Sequence, residues 1–353
     1  MDIDLTKYTL KNDNAWYIND STDNNEIPSI VAYYNKQIKI MIFKNIYNMY
    51  HRIDDKPAII SYYKNGNIHT TEYWLNGKQH RDNDKPANVV YFHNGNIKCI
   101  FYYVNDKKHR DNDKPAYIEY YKNGNIRYEK YLLNGIYHRD NDKPAIIAYY
   151  RNGNIKYEEY WINNKQHRLN DNPAVINYYE NGNIQHEYYK YNNITHREGN
   201  KPAVIRYYEN GNIQSIWYEI YDKTHRTDDN PANIEYYKNG NIYAKYYYIN
   251  GRVHRENNKP GVSIYYENGN VKCEIYCLNG KLHRDNDKPA SIQYYENGNI
   301  KIEEYRVNNN LYRTNENDPV KIEYSENKQF ETFTYKDGRV ETFDLHLLFT
   351  KPI

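Results

Sequence analysis

Three cysteines, three methionines and seven phenylalanines in 353 residues leave little material for a large aliphatic core or a disulfide framework. No run approaches 18 consecutive apolar residues, so no membrane-spanning helix is expected. Neither charge sign is in excess. Lys and Arg total 48 against 46 Asp and Glu, which removes the electrostatic case for nucleic acid. The opening Met1-Asp2-Ile3-Asp4-Leu5 lacks the basic-then-apolar order of a secretory leader. Cys273 and Cys277 lie four residues apart in a predicted strand, about 13 Å, too far for a disulfide. With Cys99 as an odd third, the set fits a reducing, cytosolic compartment.

Mean hydropathy is very low, which alone would suggest disorder. The 46 tyrosines argue against it, because they recur with strict spacing. His-Arg begins at 51, 80, 109, 138, 167, 196, 225, 254 and 283, a constant step of 29. Tyr312-Arg313 continues the series, and a proline column from Pro57 to Pro289 keeps the same step. Pro319 falls one residue late. An unbroken step means that each unit is one rigid structural increment.

Residues 80–108 serve as the example. His80-Arg81-Asp82-Asn83-Asp84-Lys85-Pro86-Ala87 precedes a short run to Phe92, then Asn94-Gly95-Asn96, then a second run to Val104 and a turn at Asn105-Asp106. Asn-Gly predicts a two-residue type I′ hairpin turn with positive φ at both positions. Alternation in the first run places Ala116, Ile118 and Tyr120 on one repeated face and Tyr117 and Glu119 on a variable one. In the second run Tyr73, Tyr102, Tyr131 and their equivalents form a constant column. Leu75, Val104 and Leu133, two residues on, are expected on the same face. The fold class predicted is all-β: tandem 29-residue hairpins forming one long, twisted antiparallel sheet, with a β-solenoid as the alternative. Stacked tyrosines from adjacent units would then supply the cohesion that a lone hairpin lacks. The expected organisation is a degenerate N-terminal stretch at 1–50, tandem repeats at 51–318, and a C-terminal cap at 319–353. The cap comprises a hairpin over Thr332 to Phe343 and an apolar tail, Leu345 to Phe349, over the last edge strand.

The runs Ile155-Lys156-Tyr157-Glu158-Glu159-Tyr160 and Tyr276-Cys277-Leu278-Asn279-Gly280-Lys281-Leu282-His283 resemble MORN-variant repeats. The longer phrase with His-Arg-Asp and Pro-Ala is similar to repeats abundant in giant, mimivirus-like DNA viruses. The resemblance covers roughly 22–318. It implies a sheet of hairpins used as a scaffold, a dimerisation module or an adaptor, with host cytoplasm, viral factory or virion as its setting. The unit here is longer than an ordinary MORN repeat, and the usual second-strand glycines are largely absent.

His-Arg-Asp also looks like a kinase catalytic loop. The phosphate loop and Asp-Phe-Gly are missing, and an active site has no reason to occur in every repeat. Histidines in one column would lie about 9–10 Å apart, too far to share a zinc ion. Asp82-Asn83-Asp84 offers oxygen ligands but lacks EF-hand spacing, and reads as an Asx-type turn. In that turn Arg81 is expected to pair with Asp82, Asp84 or the acids of a neighbouring unit. No catalytic set, cofactor or metal is expected. The candidate partner-binding residues are an aromatic stripe opposite the repeated face: Tyr63, Phe92, Tyr121, Tyr150, Tyr179, Tyr208 and Tyr237 from the first runs, with Trp74, Tyr103, Trp161 and Tyr248 from the second. Such a stripe would be buried by twist within the same chain, be covered by a symmetric homodimer, or engage a protein, with a glycan or an inhibited (antitoxin-like) target as alternatives.

Overall fold

The computed structural model describes residues 8–12, 15–18, 27–34 and 37–344. These form two compact units. One holds residues up to Asn170 together with Ala174–Gly182, and the other holds Asp171–Pro173 and the residues from Asn183 onward. Every regular element among the described residues is a β-strand.

Within each unit successive strands pair antiparallel with their sequence neighbours. Each repeat contributes a four-residue strand after the proline, such as Tyr117–Tyr120, and a five-residue strand after the glycine, such as Ile126–Lys130. Tyr117–Tyr120 pairs with Ile126–Lys130, which pairs in turn with Ile146–Tyr149 of the next repeat. This is an open meander of hairpins, not a solenoid.

Three expectations about local geometry are corrected. The Asn-Gly tips are not two-residue type I′ turns. Tyr63 N–H bonds Asn67 O and Gly66 N–H bonds Tyr63 O, so the loop is Lys64-Asn65-Gly66. Only Gly66, at φ +86°, is left-handed, and the pairing register shifts at Tyr62. This is a three-residue turn with a bulge at the glycine. The type I′ geometry sits instead at the second turn. There Asn76 and Gly77 both have positive φ and join Trp74–Leu75 to Lys78–Gln79.

The second strand is also shorter than the alternation implies. Ile68–Glu72 ends before Tyr73, and the next two residues turn into the separate small ladder. Leu75, Val104 and Leu133 are therefore exposed rather than packed beside the constant tyrosine.

The core is thin. Ala58, Ala87, Ala116, Ala145 and Ala174 are wholly buried in one unit, and Ala203, Ala232 and Ala290 in the other. Val89, Ile100, Tyr102 and Ile118 form one apolar cluster on the repeated face, and Tyr131, Ala145 and Ile147 another. At the C-terminal end Phe330–Thr334 pairs with Val340–Asp344, the hairpin the sequence predicts. The tail from Leu345 to Phe349 lies outside the described residues.

Candidate functional site

The third correction concerns what covers the constant tyrosines. The repeated tyrosine packs beside tyrosines of the neighbouring strands, as Tyr102 does in one cluster with Tyr91 and Tyr120, but what covers its ring is an arginine. Arg110 lies over the Tyr102 ring at 3.6 Å, Arg139 over Tyr131 at 3.5 Å and Arg255 over Tyr247 at 3.6 Å. The same arginine reaches back one repeat. Arg110 Nε donates to Asp84 Oδ1 at 2.7 Å, and Lys114 Nζ to Asp84 Oδ2 at 2.7 Å. Arg110 Nη1 also donates to Pro115 O at 3.4 Å. Of the partners the sequence allows, the arginine thus takes the neighbouring unit's acid. Asp84 sits at the second left-handed position of a turn that glycine would suit better. A carboxylate occupies it because two cations of the next repeat need an acceptor. Those hydrogen bonds hold Asp84, Asp113 and Asp229 at a pKa of about 2.

His51, His109, His138, His225, His254 and His283 brace the small ladders. His109 Nδ1 accepts Asn134 N–H at 3.2 Å, while Nε2 lies 3.1 Å from Asp111. An Nδ1 that accepts a backbone N–H places the ring proton on Nε2. Asp82 and Asp84 thus point to different partners, His80 and Arg110. Among the described residues no group of three or more His, Cys, Asp or Glu is placed to hold a metal. Grooves of 190 to 470 Å³ separate successive loops in the first unit. The largest is lined by Arg139, Trp161, Ile162 and Leu169 among others.

The predicted stripe divides into two sets. The first-run set lies at the hairpin tips. Tyr63 OH donates to Tyr91 O at 2.7 Å, Tyr121 to Tyr149 O, Tyr150 to Tyr178 O, Tyr208 to Tyr236 O and Tyr237 to Tyr265 O. Tyr179 holds the same tip position, and Phe92 holds it without a hydroxyl. Beside them Asn125 Nδ2 donates to Arg151 O and Asn212 Nδ2 to Lys238 O. These side chains tie one repeat to the next. The second set, Trp74, Tyr103, Trp161 and Tyr248, lies in the small ladders at the far end of the five-residue strand. The fold does not bring the two sets together, because the strand between them spans roughly 17 Å.

The second set belongs to the variable sheet face. Trp74 Nε1 and Gln79 Nε2 both donate to Glu72, and Trp161 Nε1 and Gln166 Nε2 both donate to Glu159. The two repeats between replace this closed arrangement by Phe101, Tyr103 and Lys108, and by Lys130, Leu132 and Tyr137. Lys108 Nζ lies 5.2 Å from the Phe101 ring centre and Lys130 Nζ 5.3 Å from that of Tyr117. Burial and the charge of Lys130 push the Lys108 pKa down. The nearby Glu119 is already taken by Tyr117 OH at 2.6 Å and Arg127 at 2.8 Å.

In the second unit the same face carries Glu219 and Glu235, both raised in pKa by burial, close to Arg206. The two lysines break no spacing rule, and only their columns mark them: positions 72, 101, 130 and 159 read Glu, Phe, Lys, Glu, and positions 79, 108, 137 and 166 read Gln, Lys, Tyr, Gln.

Residues 146–163, 203–218 and 290–308 match the MORN repeat variant family. These three matches support a MORN-repeat protein, as does the all-β hairpin architecture. No curated protein matches the chain.

Proposed function

We propose that this chain is a non-enzymatic scaffold that binds a protein partner across its variable sheet face. MORN repeats commonly serve as scaffolding or interaction modules. One observation carries the reading further. The constant polar residues are engaged between or within repeats, as Arg110 with Asp84, Tyr121 with Tyr149 O and Asn125 with Arg151 O. The residues free to differ collect on one face, where aromatic rings alternate with charges, the composition that dominates interface energetics.

Many similar contacts along one face favour binding by avidity. Residues 1–50 and 319–353 act as caps to the tandem array. A source in a large DNA virus, with a place in host cytoplasm or virion, is supported by the bias to Asn, Ile, Lys and Tyr.

The test is affinity capture from the native source with three forms of the chain. They are the unaltered chain, Tyr117→Ser with Tyr246→Ser on the variable face, and Asp82→Ser with Asp111→Ser on the loop edge. The proposal expects one set of proteins retained by the first and third forms and lost from the second. Equal capture by all three, or substrate turnover by the chain, overturns it.

A further inference from the structure

We infer that Lys108, Lys130 and the aromatic rings beneath them bind a short acidic segment of a partner protein, two of whose carboxylates meet the two ammonium groups while an apolar side chain of the segment rests on the rings. The inference rests on reading the variable face as the interaction surface, and it names the chemistry that is recognised there. All the residues involved lie in the first unit.

The carboxylates on this stretch of the face are already matched. Glu72 and Glu159 accept indole and amide donors. Glu119 accepts Tyr117 and Arg127. Lys108 and Lys130 stand outside this pattern. Among the described residues no ion pair or hydrogen bond reaches either ammonium group, and both side chains are only partly exposed. The two are neighbours, since the charge of Lys130 helps to push the Lys108 pKa down. Like charges half-buried together without a counter-ion are unfavourable, and carboxylates brought by a ligand relieve that cost.

The rings position the lysines and supply the apolar part of the site. Lys108 Nζ lies 5.2 Å from the Phe101 ring centre, and Lys130 Nζ lies 5.3 Å from that of Tyr117 and 5.7 Å from that of Tyr128. Such contacts attract an ammonium group without neutralising it. The Phe101 and Tyr117 rings pack 4.8 Å apart across neighbouring strands, and Tyr103 stands 6.2 Å from Phe101. No other repeat carries lysine in either column. The patch is therefore a single site on the array and not a ladder.

The extent of the patch selects the kind of anion. One cross-strand row runs through Glu72, Asn88, Phe101, Tyr117, Lys130, Ile146 and Glu159. Acids thus close both ends of the row, six strand spacings or about 29 Å apart. A nucleic acid or an anionic bilayer would carry its charge past the lysines onto those acids. A peptide stretch of a few residues fits between them. Carboxylates at alternate positions of an extended segment face the same side, so one segment can present two of them to the lysines. The charges then set which segment docks, and the rings provide contact area.

The experiment selects from a library of random peptides displayed on phage, using the full chain as bait, and then measures the selected peptides by fluorescence anisotropy at low and high salt. Four forms are compared: the unaltered chain, Lys108→Ser with Lys130→Ser, Lys108→Glu with Lys130→Glu, and a control, Lys107→Ser with Lys122→Ser, at exposed lysines off the patch. Thermal melts establish that each form is folded. The unaltered chain and the control are expected to enrich peptides with at least two Asp or Glu beside an aromatic or aliphatic residue. Affinity for those peptides is expected to fall at least roughly tenfold in the serine form and to weaken with salt. The glutamate form is expected to select basic peptides instead.

Selection without acidic enrichment overturns the proposal, and so does equal affinity of the unaltered and serine forms for the acidic peptides. Vesicles containing phosphatidylserine serve as a second probe. Retention of the unaltered chain on them, lost in the serine form and unmatched by any acidic peptide, also overturns it. If the glutamate form does not fold, the serine form alone decides. A chain that binds no acidic peptide, yet captures proteins that are lost with Tyr117→Ser and Tyr246→Ser, overturns this assignment and leaves the broader function standing.

Discussion

Arg110 reaches back to Asp84 of the preceding repeat, 26 residues away, with Nε and Nη2 at 2.7 and 3.3 Å from the two carboxylate oxygens, while its guanidinium carbon lies 3.6 Å from the Tyr102 ring centre. One side chain thereby joins a ring, a carboxylate and a backbone carbonyl. Lysine can supply the charge but neither the fork nor the planar stack. Arg110→Lys should lower stability by about 1–2 kcal/mol in urea unfolding. Arg226→Lys should cost less, because Arg226 faces the neutral Asn200 instead of a carboxylate. Equal losses at the two sites would contradict this account of the pair.

The paired aspartates make stability depend on acid. Asp84, Asp113, Asp171 and Asp229 are held at about 2, below the ordinary carboxylate value near 4. A depressed folded pKa adds stability above the unfolded value, lost as pH falls through the folded one. Unfolding midpoints should therefore drop between pH 4 and 2. The drop should be smaller in high salt, because these carboxylates remain about 40% exposed. Asp84→Asn should flatten the profile by one group, and an unchanged profile would count against the ladder.

Phe92 marks a tip where the hydroxyl is missing. Tyr121 OH, one repeat on, donates to Tyr149 O at 2.8 Å. Phe92→Tyr should supply the equivalent bond to Tyr120 O and stabilise by about 0.5–1 kcal/mol, while Tyr121→Phe should cost about 1 kcal/mol. Thermal melts of the two variants should shift in opposite directions.

The buried alanine column leaves no spare volume. Ala116 is wholly buried, so Ala116→Leu should destabilise by about 1–3 kcal/mol through overpacking. The column has a glycine at 261, where an added Cβ would meet Val253 Cγ1 at 3.1 Å. Gly261→Ala should be mildly destabilising, and harmless or favourable once Val253→Ala makes room. A double-mutant cycle with no coupling would refute the contact.

Much of the architecture is written in the chain at low resolution. The 29-residue step, the strand after Pro86 and the strand after Gly95 follow from proline, glycine and alternation. Turn types do not. Asn94-Gly95 and Asn76-Gly77 are the same dipeptide, yet the first tip has a third loop residue and only the second is type I′. What separates them is the pairing register of the flanking strands, a property of two repeats at once. The interruption at Tyr102 is hidden for a similar reason, since alternation continues in the letters while the backbone leaves the sheet to cover its neighbour's arginine. The tip tyrosines read as a free stripe because a hydroxyl bonded to a carbonyl 28 residues away leaves no local trace. Lys130 becomes visible only against Glu72 and Glu159 in its column, and Lys108 only against Gln79 and Gln166 in its own.

Removing one whole repeat tests the modular account most directly. Deleting residues 109–137 joins Lys108 to His138 and sets Arg139 opposite Asp84 and Tyr102, the partners it should accept. The shortened chain should unfold cooperatively with a midpoint within a few degrees of the full chain, whereas removal of residues 109–136, one residue fewer, leaves Tyr137 as an extra residue before His138, pulls Arg139 out of step with Asp84 and Tyr102, and should lower the midpoint by clearly more. Collapse of the 29-residue deletion, or equal tolerance of both, would contradict an array held together by identical steps.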